Sequence, residues 1–345
     1  MAQTTTASVE RGRGTRARRI GIIVVLLALL VVVAAAGLLL GSRSLPPAAV
    51  WSALTDPTGS DLDFIVLSLR VPRTILGIAV GVALGISGAL MQGHTRNPLA
   101  DPGLLGVSAG AALLVVVSVY ALGITSLYGY VWFAFVGAFG ASVLVFMLGT
   151  LSPDGPTPVT LALAGVAVSA FLGAMTTALV LGDRQTLDVF RFWSVGALAG
   201  RGGDIVAQIA PFLVAGVVLA LANAPGLNLL NLGEDVARGL GANVGMIRVI
   251  GLVAITLLAG GATAACGPIG FVGLVVPHVC RFFTGPDHRW LVPTSGLAGA
   301  VLLLGADVVG RLVARPGELQ VGIVLAVVGA PFFVLLVRRR KLASL

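Results

Sequence analysis

The sequence predicts an all-α polytopic membrane protein with about ten transmembrane helices. Of the 345 residues, 57% are hydrophobic and 10% are charged, and the mean hydropathy is +1.03. A typical soluble domain has about 25% charged residues, and disordered chains are polar. The 47 glycines suit closely packed membrane helices. The composition therefore excludes a soluble globular domain and a disordered chain.

A basic tail precedes the first apolar run. Residues 1–19 are polar, contain five arginines and are expected to form a disordered cytoplasmic tail. Residues 20–40 then form an uninterrupted apolar run, which corresponds to about 31 Å of helix and can cross a bilayer. Because the apolar region of a signal peptide usually has about 7–15 residues, we interpret this run as the first transmembrane helix.

Nine further charge-free runs complete the predicted transmembrane domain, which spans residues 20–337. The runs are residues 74–93, 104–122, 130–150, 157–181, 205–223, 249–265, 268–280, 291–306 and 319–337. The runs 268–280 and 291–306 are short for a complete span, so we expect interfacial residues to extend them. A basic cytoplasmic tail, residues 338–345, ends the sequence.

The distribution of basic residues predicts the orientation. Ten spans place both termini on one side, which receives 14 basic residues: five in the N-terminal tail, then Arg96, Arg238, Arg248, Arg281, Arg289, Arg338, Arg339, Arg340 and Lys341. The other side receives eight: Arg43, Arg70, Arg73, Arg184, Arg191, Arg201, Arg311 and Arg315. Cytoplasmic loops carry the excess of basic residues, so both termini are predicted to be cytoplasmic. This pattern, rather than nucleic-acid binding, accounts for the net charge of +8.

The predicted spans lack the groups that energy coupling and catalysis require. None of the ten runs contains Asp, Glu, Lys or Arg, although ion-coupled transporters usually carry an ionisable group at membrane depth. The one lysine, Lys341, follows no glycine-rich loop, which excludes a nucleotide-binding P-loop. Cys266 and Cys280 lack metal-ligand spacing. We therefore expect no catalytic residue and no metal site in this chain, and an energy source outside it.

Three arginines mark the predicted outer rim. Arg70 and Arg73 flank Pro72, which is expected to fix the backbone at the start of the second helix. Arg311 lies at the end of the ninth helix. Exposed guanidinium groups can bind carboxylates of a partner through paired hydrogen bonds, or they can extend to lipid phosphates. Asp307, four residues before Arg311, could also pair with it.

A polar break separates the second and third predicted helices. It contains two prolines, Pro98 and Pro102, together with the polar residues Arg96, Asn97 and Asp101. Backbone groups freed by such a break must be satisfied by protein or water, and these polar side chains can do so locally. We expect a tight helix–loop–helix turn that shapes the cytoplasmic end of a pathway.

The inner loop 224–245 is predicted to form short amphipathic helices. Apolar residues recur in it at intervals of three or four: Leu229, Leu232, Val236 and Leu240. Glu234 and Arg238 can pair on one helical face. An apolar stripe with charged flanks suits docking into a groove of a soluble partner, and it equally suits a helix lying on lipid. The residue pattern leaves both readings open.

Glycine and proline interrupt the last predicted helices. Gly267 and Pro268 open the eighth helix, and Pro277 and His278 follow within it. Pro331 is expected to kink the tenth helix. These residues permit close packing or bending of helices; packing is the simpler role, and gating is the alternative.

Six motifs in order resemble the FecCD-type permease subunits of ABC importers for iron–siderophores, haem and vitamin B12. They are RVPR at 70–73, QGHTRNPLADPGLLGVSAGA at 92–111, LGEDVARGLG at 232–241, GPIGFVGLVVPH at 267–278, DVVGR at 307–311 and ELQVGIVLAVVGAPFF at 318–333. Together they cover nearly all of the chain after the N-terminal tail. Gln320 and Gly310 depart from the usual Pro and Ala of the family and affect only local helix geometry.

The resemblance implies an ABC type II importer permease fold in the bacterial cytoplasmic membrane. Its partners would be a second permease subunit, in a homo- or heterodimer, two ABC ATPase subunits and an external binding protein or lipoprotein. ATP and Mg would bind the ATPase, with no cofactor in this chain. The resemblance also implies that Arg70, Arg73 and Arg311 meet glutamates of the binding protein. The implied ATPase-coupling residues are Asn228, Leu232, Gly233, Glu234, Ala237, Arg238, Gly239, Leu240 and Gly241.

The expected function is translocation of a ferric siderophore, or of haem or cobalamin, powered by the partner ATPase. A zinc or manganese ABC permease is one alternative, which should show His or acidic ligands along its path. A membrane subunit that transports nothing is the other, and it would not need the coupling loop.

Overall fold

The computed structural model describes residues 3–151 and 157–338 and shows no β-strand within them. Seven helices in these ranges are long and apolar enough to cross a membrane, and three shorter apolar helices accompany them. Each of the ten apolar runs coincides with one of these ten helices, which confirms the predicted fold class. The C-terminal tail beyond residue 338 lies outside the described residues.

The helices are α1 (Gln3–Leu39), α2 (Pro47–Thr55), α3 (Asp61–Asp63), α4 (Val71–Thr95), α5 (Val107–Leu122), α6 (Leu127–Thr150), α7 (Pro158–Gly182), α8 (Arg184–Trp193), α9 (Gly203–Leu230), α10 (Glu234–Gly239), α11 (Val244–Cys266), α12 (Val272–Thr284), α13 (His288–Val313) and α14 (Val321–Arg338).

The first helix differs from the prediction in its starting point. α1 begins at Gln3, so the backbone that was expected to be a disordered tail is helical. Adding residues to an existing helix requires no new nucleus, and arginine has a high helix propensity. Only 6% of the apolar segment of α1 is buried within the chain, against 78% for the helix through α4. α1 is therefore a peripheral helix whose apolar surface faces outward.

The second predicted span starts earlier than expected. A continuous helix of 35 residues runs over Asp61–Thr95, and it comprises α3, a π-helical segment (Phe64–Arg70) and α4. The prediction that Pro72 opens this helix is therefore wrong. The Val71 N–H donates to the Val66 carbonyl, five residues back. This wider register fits the point where Pro72 offers no N–H of its own.

The centre of the bundle is the contact between α4 and α13. A methyl group at Gly81 would overlap the backbone of Ala300, and one at Gly85 would overlap the carbonyl of Ser295. Gly299 in turn lies against the carbonyl of Gly81. Without side chains at these positions, the two backbones touch directly, as small residues allow in membrane helices. α4 and α13 therefore form one tightly packed pair.

The two ends of α13 define the two ends of the bundle. Arg19 of α1 lies 3.7 Å from the carboxylate of Asp287, which precedes α13. At the other end, Arg311 contacts carbonyls near the C-terminus of α1. We call these the Asp287 end and the Arg311 end. The grouping agrees with the sides predicted for these arginines.

Candidate functional sites at the two ends of the bundle

Asp307 is the centre of an ion-pair network at the Arg311 end. Its side chain is 1% exposed and accepts hydrogen bonds from the guanidinium of Arg73, with Nη2 at 2.8 Å. Arg311 Nη2 lies 3.0 Å from the other carboxylate oxygen. Arg73 Nη1 also contacts Glu318 at 2.7 Å. The Asp307–Arg311 pair suggested by the sequence is confirmed, and it lies inside α13 rather than beyond it.

Arginines also bind carbonyls in the last turn of α1 and just beyond it. Arg70 Nη1 donates to the Leu38 carbonyl at 2.5 Å, and its Nη2 donates to the Arg43 carbonyl. Arg311 Nη1 donates to the carbonyls of Gly37 and Leu40 at 3.0 and 3.1 Å. The last four carbonyls of a helix lack intrahelical partners, and cations near them are favourable. The cluster therefore caps α1.

This arrangement corrects the predicted exposure of the three arginines. Arg70 is 7% exposed, Arg311 is 3% exposed, and the side chain of Arg73 is 13% exposed. The structure does bring them together, as predicted, but their donors are directed to Asp307, Glu318 and backbone carbonyls. Capping α1 and pairing with Asp307 draw them inward. Their contact with a binding protein stays a prediction.

A cavity of about 610 Å³ opens beside this network. Its charged lining consists of Arg43, Arg70, Arg73, Arg201, Arg311 and Glu318. Arg43 is exposed and Arg201 is half-buried, with its Nε 3.5 Å from the Ala197 carbonyl. Five guanidinium groups against one lining carboxylate give this cavity a positive potential. Arg43 and Arg201 are its accessible cations.

The predicted coupling residues at the Asp287 end surround α10. Leu232, Val236 and Leu240 are 59%, 50% and 62% exposed, whereas Ala237 is fully buried. α10 therefore lies on the bundle through Ala237 and presents an apolar face outward. We call residues 232–241 the coupling segment.

Glycines lie on either side of α10. Gly233 precedes α10 with φ +108° and Gly241 follows it with φ +82°, a region that residues with a side chain rarely adopt. Gly239 is the last residue of α10. The glycines thus permit sharp turns of the backbone before and after α10. The structure has this one short helix between α9 and α11, whereas the sequence predicted several.

An ion-pair cluster fixes α10. Glu234 contacts Arg238 at 3.6 Å, which confirms the predicted pair one turn apart. The other oxygen of Glu234 accepts a hydrogen bond from Arg248 on α11. Arg248 was not among the predicted coupling residues. Because Arg238 is 62% exposed while Arg248 is mostly covered, Glu234 links a surface cation to the bundle.

Asn228 is positioned differently from the other predicted coupling residues. It lies in α9, and its amide Nδ2 donates to Asp287 at 2.6 Å. Its Oδ1 accepts from the backbone N–H of His288 at 2.9 Å. The side chain is therefore directed into the bundle and not toward the exposed face of the coupling segment. Its polar groups are satisfied by the start of α13.

The polar break after α4 is a tight turn, as predicted. Arg96 ends α4 in the left-handed conformation with φ 48° and has an exposed side chain. Asn97 Oδ1 accepts from the Leu99 N–H at 3.0 Å, and Asp101 Oδ1 accepts from the Gly103 N–H at 2.8 Å. Burial raises the pKa of the Asp101 carboxyl, and the bond from Gly103 opposes this shift.

The two prolines of this turn have different surroundings. Pro98 is half-buried, whereas Pro102 is buried at the start of a short 3₁₀ helix. Asn97 and Asp101 satisfy the backbone as expected, while Arg96 contributes its backbone conformation. A role in a transport pathway stays a prediction.

Gly267 and Pro268 lie before the eighth apolar helix rather than inside it. α11 ends at Cys266 and α12 begins at Val272. Gly267 has φ 77°, and a methyl group there would overlap the Trp193 carbonyl. A left-handed backbone against another carbonyl cannot continue a helix, so residues 267–271 are non-helical.

The remaining predicted bends lie within continuous helices. Pro277 is buried inside α12, and Pro331 lies inside α14, which runs on to Arg338. The ring of His278 contacts that of Phe332 edge-on, with centroids 6.4 Å apart. This contact packs α12 against α14. Gating by these residues stays a prediction.

Several polar residues at the Asp287 end were missed by sequence reasoning. Arg19 donates to the Thr284 carbonyl at 2.9 Å and lies 5.7 Å from the ring centre of Trp290. His94 on α4 contacts the Asn223 amide of α9 at 3.0 Å. These residues sit at the borders of charge-free runs, which was the one available signal. The partners are too distant in sequence for any spacing rule to join them.

Comparison with known proteins identifies the family of this chain. Residues 26–339 match the model of the FecCD transport family. This chain belongs to the FecCD transport family. All six motifs, which fall between residues 70 and 333, lie within the matched residues. The predicted family resemblance is therefore confirmed.

Individual relatives are similar to this chain over most of its length. The ferric enterobactin transport system permease protein of Escherichia coli (strain K12) is 45% identical over 304 residues, which cover 88% of this chain and 90% of the relative. The Fe(3+)-citrate import system permease protein of Bacillus subtilis (strain 168) is 45% identical, covering 82% and 84%. The hemin transport system permease protein of Yersinia pestis is 40% identical, covering 88% and 90%.

A solved structure has a fold similar to that of this chain. It is an inward-facing conformation of a metal-chelate type ABC transporter, with a TM-score of 0.81 and 29% sequence identity. The match covers 93% of this chain and 99% of that chain. Among the described residues of the FecCD chain, no group of three or more His, Cys, Asp or Glu side chains could hold a metal ion.

Proposed function

We propose that this chain is the permease subunit of an ATP-driven ABC importer that carries a ferric siderophore across the bacterial cytoplasmic membrane. The observation that carries the proposal is the exposed apolar face of the coupling segment at the Asp287 end. Relatives named for ferric enterobactin and ferric citrate, each 45% identical, favour a ferric chelate over haem, whose named relative is 40% identical.

The coupling segment would dock into a groove of an ABC ATPase. Leu232, Val236 and Leu240 are apolar residues spaced along one face, the arrangement that helix-in-groove recognition uses. Glu234 holds α10 against α11 through Arg248, so that this face stays outward. ATP and Mg would bind the ATPase, since the sequence has no P-loop lysine.

The Arg311 end would receive the substrate-binding protein outside the cell. Carboxylates of that protein would first reach Arg43 and Arg201, the accessible cations of the cavity. Arg70, Arg73 and Arg311 would add their positive field from behind, and any direct contact would compete with their bonds to Asp307, Glu318 and the α1 carbonyls. Charge-assisted hydrogen bonds of this kind are strong and directional.

A second permease subunit, identical or related, would complete the pathway. α7 and α14 present exposed apolar residues, including Leu163 at 67% and Val327 at 68%. Such surfaces suit both lipid and another membrane helix. We propose that these helices meet their counterparts around a central path, with the Asp287 end and both termini in the cytoplasm.

ATPase association tests the coupling segment. Leu240→Asp places a carboxylate on the proposed interface, so the amount of ATPase that co-purifies with the permease should fall at least tenfold. The matched control is Val313→Asp, which alters a 71% exposed apolar residue at the opposite end of the bundle and should leave co-purification unchanged. Equal association of both variants and wild type would contradict the docking surface.

Transport by the reconstituted complex tests the function itself. Proteoliposomes that contain the permease, the ATPase and the binding protein should accumulate a gallium or iron siderophore only with ATP inside. Accumulation driven by a proton or sodium gradient without ATP would refute the proposal. Uptake of zinc or manganese instead of the chelate would favour the alternative metal permease.

A further inference from the structure

We propose that Asn228 is a positioning residue that joins the coupling segment to α13, and through α13 to the Arg311 end. This inference rests on the proposed function, because it concerns how the movement of an ATPase would reach the far side of the membrane domain. Asn228 precedes the coupling segment by four positions, and its side chain lies on the other side of the backbone, against α13.

The side-chain amide of Asn228 makes two hydrogen bonds to the start of α13. Its Nδ2 donates to Asp287 Oδ1 at 2.6 Å, and its Oδ1 accepts from the His288 N–H at 2.9 Å. Asp287 is itself the N-cap of α13, since it accepts from the Arg289 N–H at 3.0 Å. One amide therefore supplies a donor to the cap and an acceptor to the first free N–H of α13. Asn228 fixes both the position and the direction of that helix start.

A second polar pair fixes α9 against the other central helix. Asn223, which is 3% exposed, contacts His94 of α4 at 3.0 Å. A methyl group at Gly93 of α4 would overlap the ring of His288, so α4 and the start of α13 also touch here. The last turns of α9 are thus tied to α4 through Asn223 and to α13 through Asn228. The coupling segment follows at once.

α4 and α13 form a rigid pair. Their backbones are in direct contact at Gly81, Gly85 and Gly299, which leaves no space for one helix to tilt alone. α13 has 26 residues, or about 39 Å of helix. At its far end, Asp307 binds Arg73, which lies in the first turn of α4. A displacement at Asn228 therefore reaches the arginine network through two packed helices, as rigid elements carry coupling between distant sites.

Exchange of the two polar partners tests this inference in the complete reconstituted complex. Asn228→Asp sets two carboxylates against each other and removes the donor, so cargo transported per ATP should fall at least tenfold while ATP hydrolysis falls less than twofold. The double variant Asn228→Asp with Asp287→Asn removes this repulsion and again faces one donor with one acceptor. It should recover cargo per ATP to within threefold of wild type.

The matched control makes the same chemical change elsewhere at this end of the bundle. Asn243 caps α11 through the Met246 N–H at 3.0 Å, and Asn243→Asp keeps that cap, so cargo per ATP should match wild type. If Asn228→Asp does not assemble, Asn228→Ala, which removes both hydrogen bonds of the amide, should show the same loss of cargo per ATP.

Two results would overturn the inference. One is wild-type cargo per ATP in Asn228→Asp. The other is a parallel fall of hydrolysis, transport and thermal stability without recovery in the double variant, because that result describes a residue needed only for folding. A wild-type complex that transports no chelate with ATP would refute the proposed function first, and the inference with it.

Discussion

Asp307 binds two arginines at once in a buried site, with Arg73 at 2.8 Å and Arg311 at 3.0 Å. Removing one partner of a buried ion pair leaves a charge without compensation, which is far more costly than losing an exposed pair. If Asp307 were replaced by a neutral residue, Arg73 and Arg311 would each lose a carboxylate partner. Arg311 would then keep its hydrogen bonds to the carbonyls of Gly37 and Leu40. The stability of the Arg311 end therefore depends on this one side chain.

We expect Asp307→Asn to lower the unfolding free energy by about 3–5 kcal/mol, which is the range for a broken buried pair. Thermal unfolding of the detergent-solubilised chain measures the change. Asp188→Asn is the control, because its pair with Arg191 is 60% exposed on both sides and should contribute at most about 1 kcal/mol. Similar melting curves for the two variants would show that the network is not a source of stability.

Glu234 and Asp235 are adjacent carboxylates with different surroundings. Glu234 contacts both Arg238 and Arg248, whereas the side chain of Asp235 is fully exposed and reaches only Arg238, at 3.8 Å. We expect Glu234→Arg to repel both arginines, to turn the apolar face of α10 away and to reduce ATPase association at least tenfold. Asp235→Arg should reduce it less than threefold in the same co-purification. Equal loss in both variants would indicate a simple charge effect.

At the scale of helices, close contact between α4 and α13 depends on glycine. Gly85→Ala adds a methyl group that would overlap the Ser295 carbonyl, so the helices must separate. We expect a loss of about 1–3 kcal/mol, as for other overpacked sites, and a lower melting temperature. Gly305→Ala, on α13 but with open space around it, should be neutral or slightly stabilising, since alanine favours helix. A Gly85→Ala variant as stable as Gly305→Ala would contradict the packing.

The ten apolar helices of the described residues were predicted from the sequence, whereas their ends were not. Ten charge-free runs predicted ten spans because apolar length alone decides whether a helix can cross a bilayer. The ninth run stops at residue 306, yet α13 continues to Val313. Asp307 and Arg311 neutralise one another inside that helix, so charge did not mark its end. The π-helical register before Pro72 likewise depends on local hydrogen bonds that composition does not reveal.

The candidate sites were predicted in part for a related reason. Leu232, Val236 and Leu240 share a face by spacing alone, and the structure exposes them. Asn228 belongs to the same stretch, but its orientation depends on Asp287, 59 positions later. The burial of Arg70 depends in turn on the Leu38 carbonyl of α1, 32 positions earlier. Spacing rules describe one helix at a time and cannot join such partners.

At the scale of the whole molecule, the two ends separate two sets of arginines. Arg43 lines the cavity at the Arg311 end, and Arg238 lies within the coupling segment at the Asp287 end. In intact cells, a membrane-impermeant maleimide should therefore label Arg43→Cys and leave Arg238→Cys unlabelled until the membrane is opened. The native Cys266 and Cys280 are buried and should give little background. The opposite labelling would invert the proposed orientation.

The attachment of α1 at both of its ends has a consequence for the surrounding lipid. Arg19 contacts the Asp287 end and the Gly37 carbonyl receives Arg311, so the intervening residues span about 27 Å of helix. A bilayer has a hydrocarbon core of about 30 Å. The two attachments hold this apolar helix at a length close to that thickness. We therefore expect transport to be fastest in bilayers of ordinary thickness and slower in markedly thinner or thicker ones.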